Sequence, residues 1–164
     1  MSRQQAIVGS INRALDSLVT TANAVPADKL NWKPSETARS IHDILVECTM
    51  TPHFNKLILD KASQGVIEIA LPNPEDLGVI QKEASLALPT VDLLTKALRD
   101  NHKMLTDHIL TTSDELLNKE IVLLIGDGMK MTVADSLFWC GTHLQYHYGQ
   151  VNYIQTIYGD GVNR

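Results

Sequence analysis

The chain has 164 residues, 44% of them hydrophobic and 20% charged, the size and balance expected of a single domain that builds its own core. With 14 Lys plus Arg against 19 Asp plus Glu, the formal charge is -5, and no basic cluster forms, which argues against a nucleic-acid partner. The longest apolar run, Ile121 to Ile125, falls far short of the ~20 residues of a membrane span, and Met1 to Gln5 leads into no apolar signal core, so no membrane partner and a cytoplasmic location are expected.

Residues 4 to 23 place Ile7, Ile11, Ala14, Leu15, Leu18 and Ala22 at three-and-four spacing, which predicts a first amphipathic helix. Val25 to Asp28 stops it, and Leu30 to Pro34 reads as a turn-rich connector anchored by Trp32. A second helix is expected from Ser40, its N-cap, to about Ser63, with Asp43 supplying first-turn negative charge and Pro52 a kink. Residues 64 to 84 carry Gly65, Pro72, Asn73, Pro74 and Gly78 and read as a long connector, with a short extended piece at 66 to 71. The third helix starts between Ser85 and Thr90, holds Val91, Leu94, Leu98, Leu105 and Ile109 on one stripe, and ends near Leu110. One further turn at 113 to 118 precedes a small hairpin or loop around Gly126-Asp127-Gly128. The fourth helix runs from Thr132 to about Tyr158, where Gly159 ends it. Four amphipathic segments with almost no strand predict an all-α four-helix bundle with a long connector between helices 2 and 3.

On the fourth helix the apolar series Val133, Leu137, Cys140, Leu144, Val151 and Ile154 has one gap, and His147 fills it. His143 stands one turn earlier, about 40° around an ideal helix, so both imidazoles face one way at a spacing that serves a single metal ion. Gln150 extends that polar line. On the second helix Glu47 falls in the inward sector of Ile44, Cys48, Thr51 and Ile58, where a carboxylate needs a partner or a cation. Two imidazoles and one carboxylate suit zinc, nickel, iron or manganese, and leave positions open for water or substrate. A core histidine satisfied by a hydrogen bond is the competing reading. His42 and His53 point to the opposite side and read as solvent-facing. His102 sits at the edge of the third helix's stripe, as a boundary histidine with one nitrogen in water, an outer partner of the site or a fourth ligand. His108, in a last turn, has no chemical role. Cys48 and Cys140 project inward as core residues able to compete for an ion, and two such cysteines make no disulfide framework.

Met131 to Asp135 leading into His143-Leu144-Gln145-Tyr146-His147-Tyr148-Gly149-Gln150 resembles the closing signature of the DinB-like (DinB/YfiT) metalloenzyme family, in which a threonine-started helix carries His-x-x-x-His-x-Gly-Gln. Ser40 to Glu47 resembles that family's second-helix segment. The resemblance implies an up-down-down-up bundle, a divalent metal at one end of its core, and homodimers. His143 and His147 match the family's two fourth-helix ligands, and Glu47 stands where its third histidine is expected. Also implied is a small-molecule substrate, with a low-molecular-weight thiol in transferase or isomerase relatives, or a hydrolase reaction. The alternative is a metal-free, non-catalytic bundle that serves ligand binding or protein association.

Overall fold

In the computed structural model, which describes residues 1–160, the chain opens with α1 (Arg3–Asn23). Ser2 caps it, its hydroxyl accepting from the Gln5 amide while the Gln5 side chain accepts from the Ser2 amide. A 3-10 turn at Ala27–Lys29 carries the chain to α2 (Ile41–Ser63), where Ser40 and Asp43 form the same reciprocal cap. Trp32 anchors the connector by packing edge-on against Tyr158, ring centroids 5.8 Å apart. Pro52 lies inside α2 as expected.

The stretch read as a connector holds a helix. After β1 (Glu68–Ile69) comes α3 (Pro74–Ala87), whose N-cap Asn73 accepts from the Asp76 amide and whose first residue is Pro74. The Asn-Pro pair read as a turn is therefore a helix start, since proline's missing donor costs nothing at the first position. None of the α3 residues is buried; Leu77, Gln81 and Ala84 turn one half-exposed face inward. Next, α4 (Val91–Leu110) begins after the N-cap Thr90, at the late end of the expected range, with Pro89 just before the cap. A single turn, α5 (Asp114–Leu117), leads to the hairpin β2 (Glu120–Leu123) and β3 (Met129–Thr132), with Ile121 opposite Met131. Strand β1 pairs parallel with β2, placing Ile69 beside Leu123. The last helix, α6 (Val133–Ile157), is capped by Thr132 with Asp135, and Gly159 follows at φ +100°.

Side-chain partners fix the helix directions. Ser10 and Thr21 of α1 meet Gly141 and Gln155 of α6, so those two run parallel. Asn101 donates to the Thr49 carbonyl at 2.8 Å and His108 lies 3.9 Å from Asp60, so α2 and α4 are parallel. Gln4 reaches the Thr112 carbonyl and Arg99 pairs with Asp16, so α1 and α4 are antiparallel. The order is up, down, down, up. Because α2 and α4 run the same way, the chain must return the length of the bundle between them, and β1 with α3 makes that return. The core is the shared interior of α1, α2, α4 and α6, filled by Ile7, Ile11, Leu18, Leu45, Leu98, Leu105, Leu137 and Leu144. Among the described residues, no helix is long and apolar enough to cross a membrane.

Candidate metal centre

Glu47 of α2 and His143 and His147 of α6 come together. The Glu47 Oε1 atom lies 2.9 Å from His143 Nε2 and 3.3 Å from His147 Nε2, and the two Nε2 atoms are 3.0 Å apart. Their one-turn separation on α6 stacks the imidazoles edge to face at 4.3 Å. His147 is 2% exposed, whereas His143 and Glu47 are half-buried and open on one side.

Each outer atom is already held. His147 Nδ1 donates to Gln150 Oε1 at 2.7 Å, and Gln150 Nε2 donates to the Tyr146 hydroxyl at 2.9 Å. The Thr51 hydroxyl donates to the Glu47 carbonyl at 3.2 Å, which leaves its oxygen to accept from His143 Nδ1 at 3.3 Å. Glu47 Oε2 is paired at 2.6 Å with Arg39, which also donates to the Asp43 carbonyl. With both Nδ1 atoms serving as donors, the Nε2 lone pairs and Oε1 converge on one point. Either a proton on one Nε2 or a cation among the three satisfies them. In the protonated arrangement the hydrogen bond from His143, then that from His147, holds the Glu47 carboxyl well below the usual range; burial opposes this and Arg39 assists.

Cys48 offers a fourth atom: its Sγ and the two histidine nitrogens lie within 4.8 Å of one another. Burial, reinforced by the charge of Glu47, pushes that thiol far up, and burial pushes Cys140 up to about 12, so both are neutral thiols at ordinary pH.

Two histidines depart from expectation. His42 is buried, not solvent-facing: its Nε2 lies 2.9 Å from the Leu88 carbonyl, where the chain leaving α3 crosses the start of α2. His102 is fully buried, with no nitrogen in water: Nδ1 donates to the Leu98 carbonyl at 2.7 Å, Nε2 has no partner, and burial holds its pKa down at about 4. His53 is exposed as expected. Arg39, and the contact of Tyr146 with Gln150, had no place in the site read from the sequence. Arg39 lies outside the helix it serves, so periodicity carries no signal for it.

Beside the site is a cavity of about 750 Å³ that reaches Glu47 and His143 and continues past Met50, Phe54 and Ile58 to Trp139 and to Leu77 of α3. The protein is thus a four-helix bundle of up-down-down-up order in which His143 and Glu47 border a cavity and His147 is buried behind them. The sequence profile of the DinB superfamily matches residues 10–151, and the chain belongs to that superfamily. None of the curated proteins matches it in sequence. Among solved structures it is similar to YfiT from Bacillus subtilis, described as a probable metal-dependent hydrolase with an unusual four-helix bundle topology. The TM-score is 0.76 at 13% identity over 97% of this chain and 90% of that one. It is also similar to a mycothiol-dependent maleylpyruvate isomerase (TM-score 0.74, 11% identity, 90% of this chain), of which it spans 60%. A third similar structure is the colibactin self-resistance protein ClbS, solved with double-stranded DNA (TM-score 0.70, 14% identity, 93% of this chain and 95% of that one). At these identities the likeness concerns the fold.

Proposed function

We propose that Glu47, His143 and His147 hold a divalent cation and that the protein is a metal-dependent enzyme acting on a small molecule in the adjoining cavity. The observation that carries this is the triangle of donor atoms, 2.9, 3.0 and 3.3 Å on a side, with every outer atom already committed elsewhere. Ligands bonded at ~2.0–2.1 Å with tetrahedral or octahedral angles stand ~2.8–3.4 Å apart, so the spacing fits an ion of the zinc, nickel, iron or manganese group. The donor set fits as well, since two neutral imidazoles and one carboxylate leave an ion positively charged and incompletely coordinated.

Held by Glu47, His143 and His147, such an ion would supply Lewis acidity and lower the pKa of a water or low-molecular-weight thiol. The chain's own residues orient the donors. Gln150 fixes the His147 tautomer, Thr51 fixes that of His143, and Arg39 turns Glu47 so that Oε1 faces the histidines. YfiT's description as a probable metal-dependent hydrolase and the mycothiol dependence of the isomerase support hydrolytic or thiol-dependent chemistry here.

The second reading, a metal-free bundle in which Glu47 accepts from a protonated imidazole, is favoured by the 2.9 Å Glu47–His143 contact, itself an ordinary hydrogen-bond length. Elemental analysis of protein purified without added metal separates the two. The metal reading expects a stoichiometric ion, lost in the His143→Ala, His147→Ala double variant and retained in His53→Ala; equal metal content in wild type and double variant refutes it. Glu47→Gln leaves metal content unchanged only under the metal-free reading.

A further inference from the structure

The cavity beside the site is lined mainly by apolar side chains. Among the described residues that line it there is no Lys or Arg; Glu47 and His143 stand at the candidate centre, and its other titratable groups are the Cys140 thiol and the Tyr146 hydroxyl. Its other wall is Met50, Phe54, Ile58, Leu71, Leu123 and Trp139. Of the other polar groups that line it, three are engaged with their own helices, and the half-exposed Gln81 amide on α3 carries no charge. Ser136 donates to the Val133 carbonyl at 2.7 Å, Thr142 to that of Phe138 at 3.3 Å, and Asn55 to that of Thr51 at 3.0 Å. A carboxylate or phosphate lodged along this wall would lose its water and gain no cation, a large desolvation penalty. An apolar body would gain by covering it, and about 750 Å³ accommodates a drug-sized molecule.

We propose that this cavity takes an elongated substrate with an uncharged, aromatic or branched aliphatic body and one polar reacting end that meets Glu47 and His143. A thiol or acid whose body carries several free carboxylates is thereby excluded from it. The placement of the reacting end rests on the metal reading above; the character of the body rests on the wall alone.

Two matched probe pairs test the two parts separately. N-phenyl-1-naphthylamine and 1-anilinonaphthalene-8-sulfonate share one ring framework and differ by a sulfonate. The neutral probe is expected to bind at least tenfold more tightly by fluorescence titration, with or without EDTA. Gln81→Lys, which places a cation on the half-exposed face of α3 that lines the cavity, should narrow that ratio at least threefold. Equal affinity for the two probes, or a ratio indifferent to Gln81→Lys, overturns the proposal; the second result means that the probes sit elsewhere, on the exposed face of α6 for example.

Octanohydroxamic acid and acetohydroxamic acid share a metal-binding head and differ in an apolar tail. On zinc-loaded protein the longer acid should displace the naphthylamine at a concentration at least 100-fold lower, and no advantage of the tail overturns the proposal. If the longer acid displaces the probe equally from zinc-loaded and EDTA-treated protein while the neutral-probe preference holds, the metal reading fails and the apolar-body inference stands.

Discussion

Gln150 and His102 show how differently a polar side chain can serve a buried imidazole. Gln150 accepts from His147 Nδ1 and so keeps the Nε2 lone pair aimed at Glu47. Gln150→Leu removes that acceptor, and zinc affinity measured by competition with a chromophoric chelator is expected to fall about 10- to 100-fold, with the helical signal unchanged. His102 has the opposite arrangement, one nitrogen bound to its own helix and the other buried without a partner. Burial, partly offset by the Leu98 carbonyl and aided by His143, lowers its pKa to about 4. A folded-state pKa below the unfolded value of ~6.5 means that the unfolded chain binds the proton first as pH falls. The stability associated with His102 is thus complete above about pH 6.5 and is lost as pH falls toward 4, by about 3 kcal/mol in all. Urea unfolding at pH 7, 5.5 and 4.5 should show this acid loss in wild type and a shallower one in His102→Leu; identical slopes would assign it to other groups.

Each element's legibility depended on whether it buries a stripe. The helices α1, α2, α4 and α6 all contribute buried residues to the core, and apolar spacing, with Ser40 and Thr132 at two of the starts, marked them in the sequence. In contrast, α3 buries no residue, so nothing periodic stood against the reading of Pro72, Asn73, Pro74 and Gly78 as loop punctuation. The same blind spot hid His42, whose partner Leu88 lies just beyond the end of α3. The cluster itself was legible, because Glu47, His143 and His147 fall at inward positions of α2 and α6 and the structure brings them within hydrogen-bond distance of one another. The Arg39 support was not, since its reach to Glu47 depends on the path of the chain before α2. The two glycines of α6 separate packing from propensity. A Cβ on Gly141 would stand 2.9 Å from Ser10 Oγ and 3.4 Å from the α1 backbone, where α1 and α6 cross closely. Gly149 has nothing within 4 Å. Gly141→Ala should therefore lower stability by roughly 1–2 kcal/mol, overpacking exceeding the gain in helix propensity, while Gly149→Ala should raise it by ~0.5–1 kcal/mol. Denaturant midpoints of the two variants should shift in opposite directions.

At the scale of the whole molecule, the tryptophans and tyrosines divide into two sets. Trp32 and Tyr158 pack against each other, and Tyr148 lies partly against the core, so these complete one bundle. Trp139, Tyr146 and Tyr153 do not: spaced seven apart on α6, they are 48%, 62% and 69% exposed, and Phe138 and Ile157 extend the same outward face. Large aromatics in one stripe are the composition of an interface core rather than of an ordinary surface, and a single helix face that meets its own copy across a two-fold axis covers every one of them. Homodimerisation through α6 is the expected consequence. Sedimentation equilibrium at micromolar concentration should give twice the 18.2 kDa of one chain. Tyr153→Glu sets two like charges against each other across the axis and should shift the protein toward monomer while leaving the helical signal intact, because that side chain faces away from the core. Only monomer in the wild type, or a dimer insensitive to Tyr153→Glu, would mean that this face has another role. Since Trp139 and Tyr146 also line the cavity, a dimer built on this face would place a partner surface against the cavity's aromatic wall. Affinity for N-phenyl-1-naphthylamine should then rise with protein concentration across the monomer–dimer transition in wild type, and be concentration-independent in Tyr153→Glu.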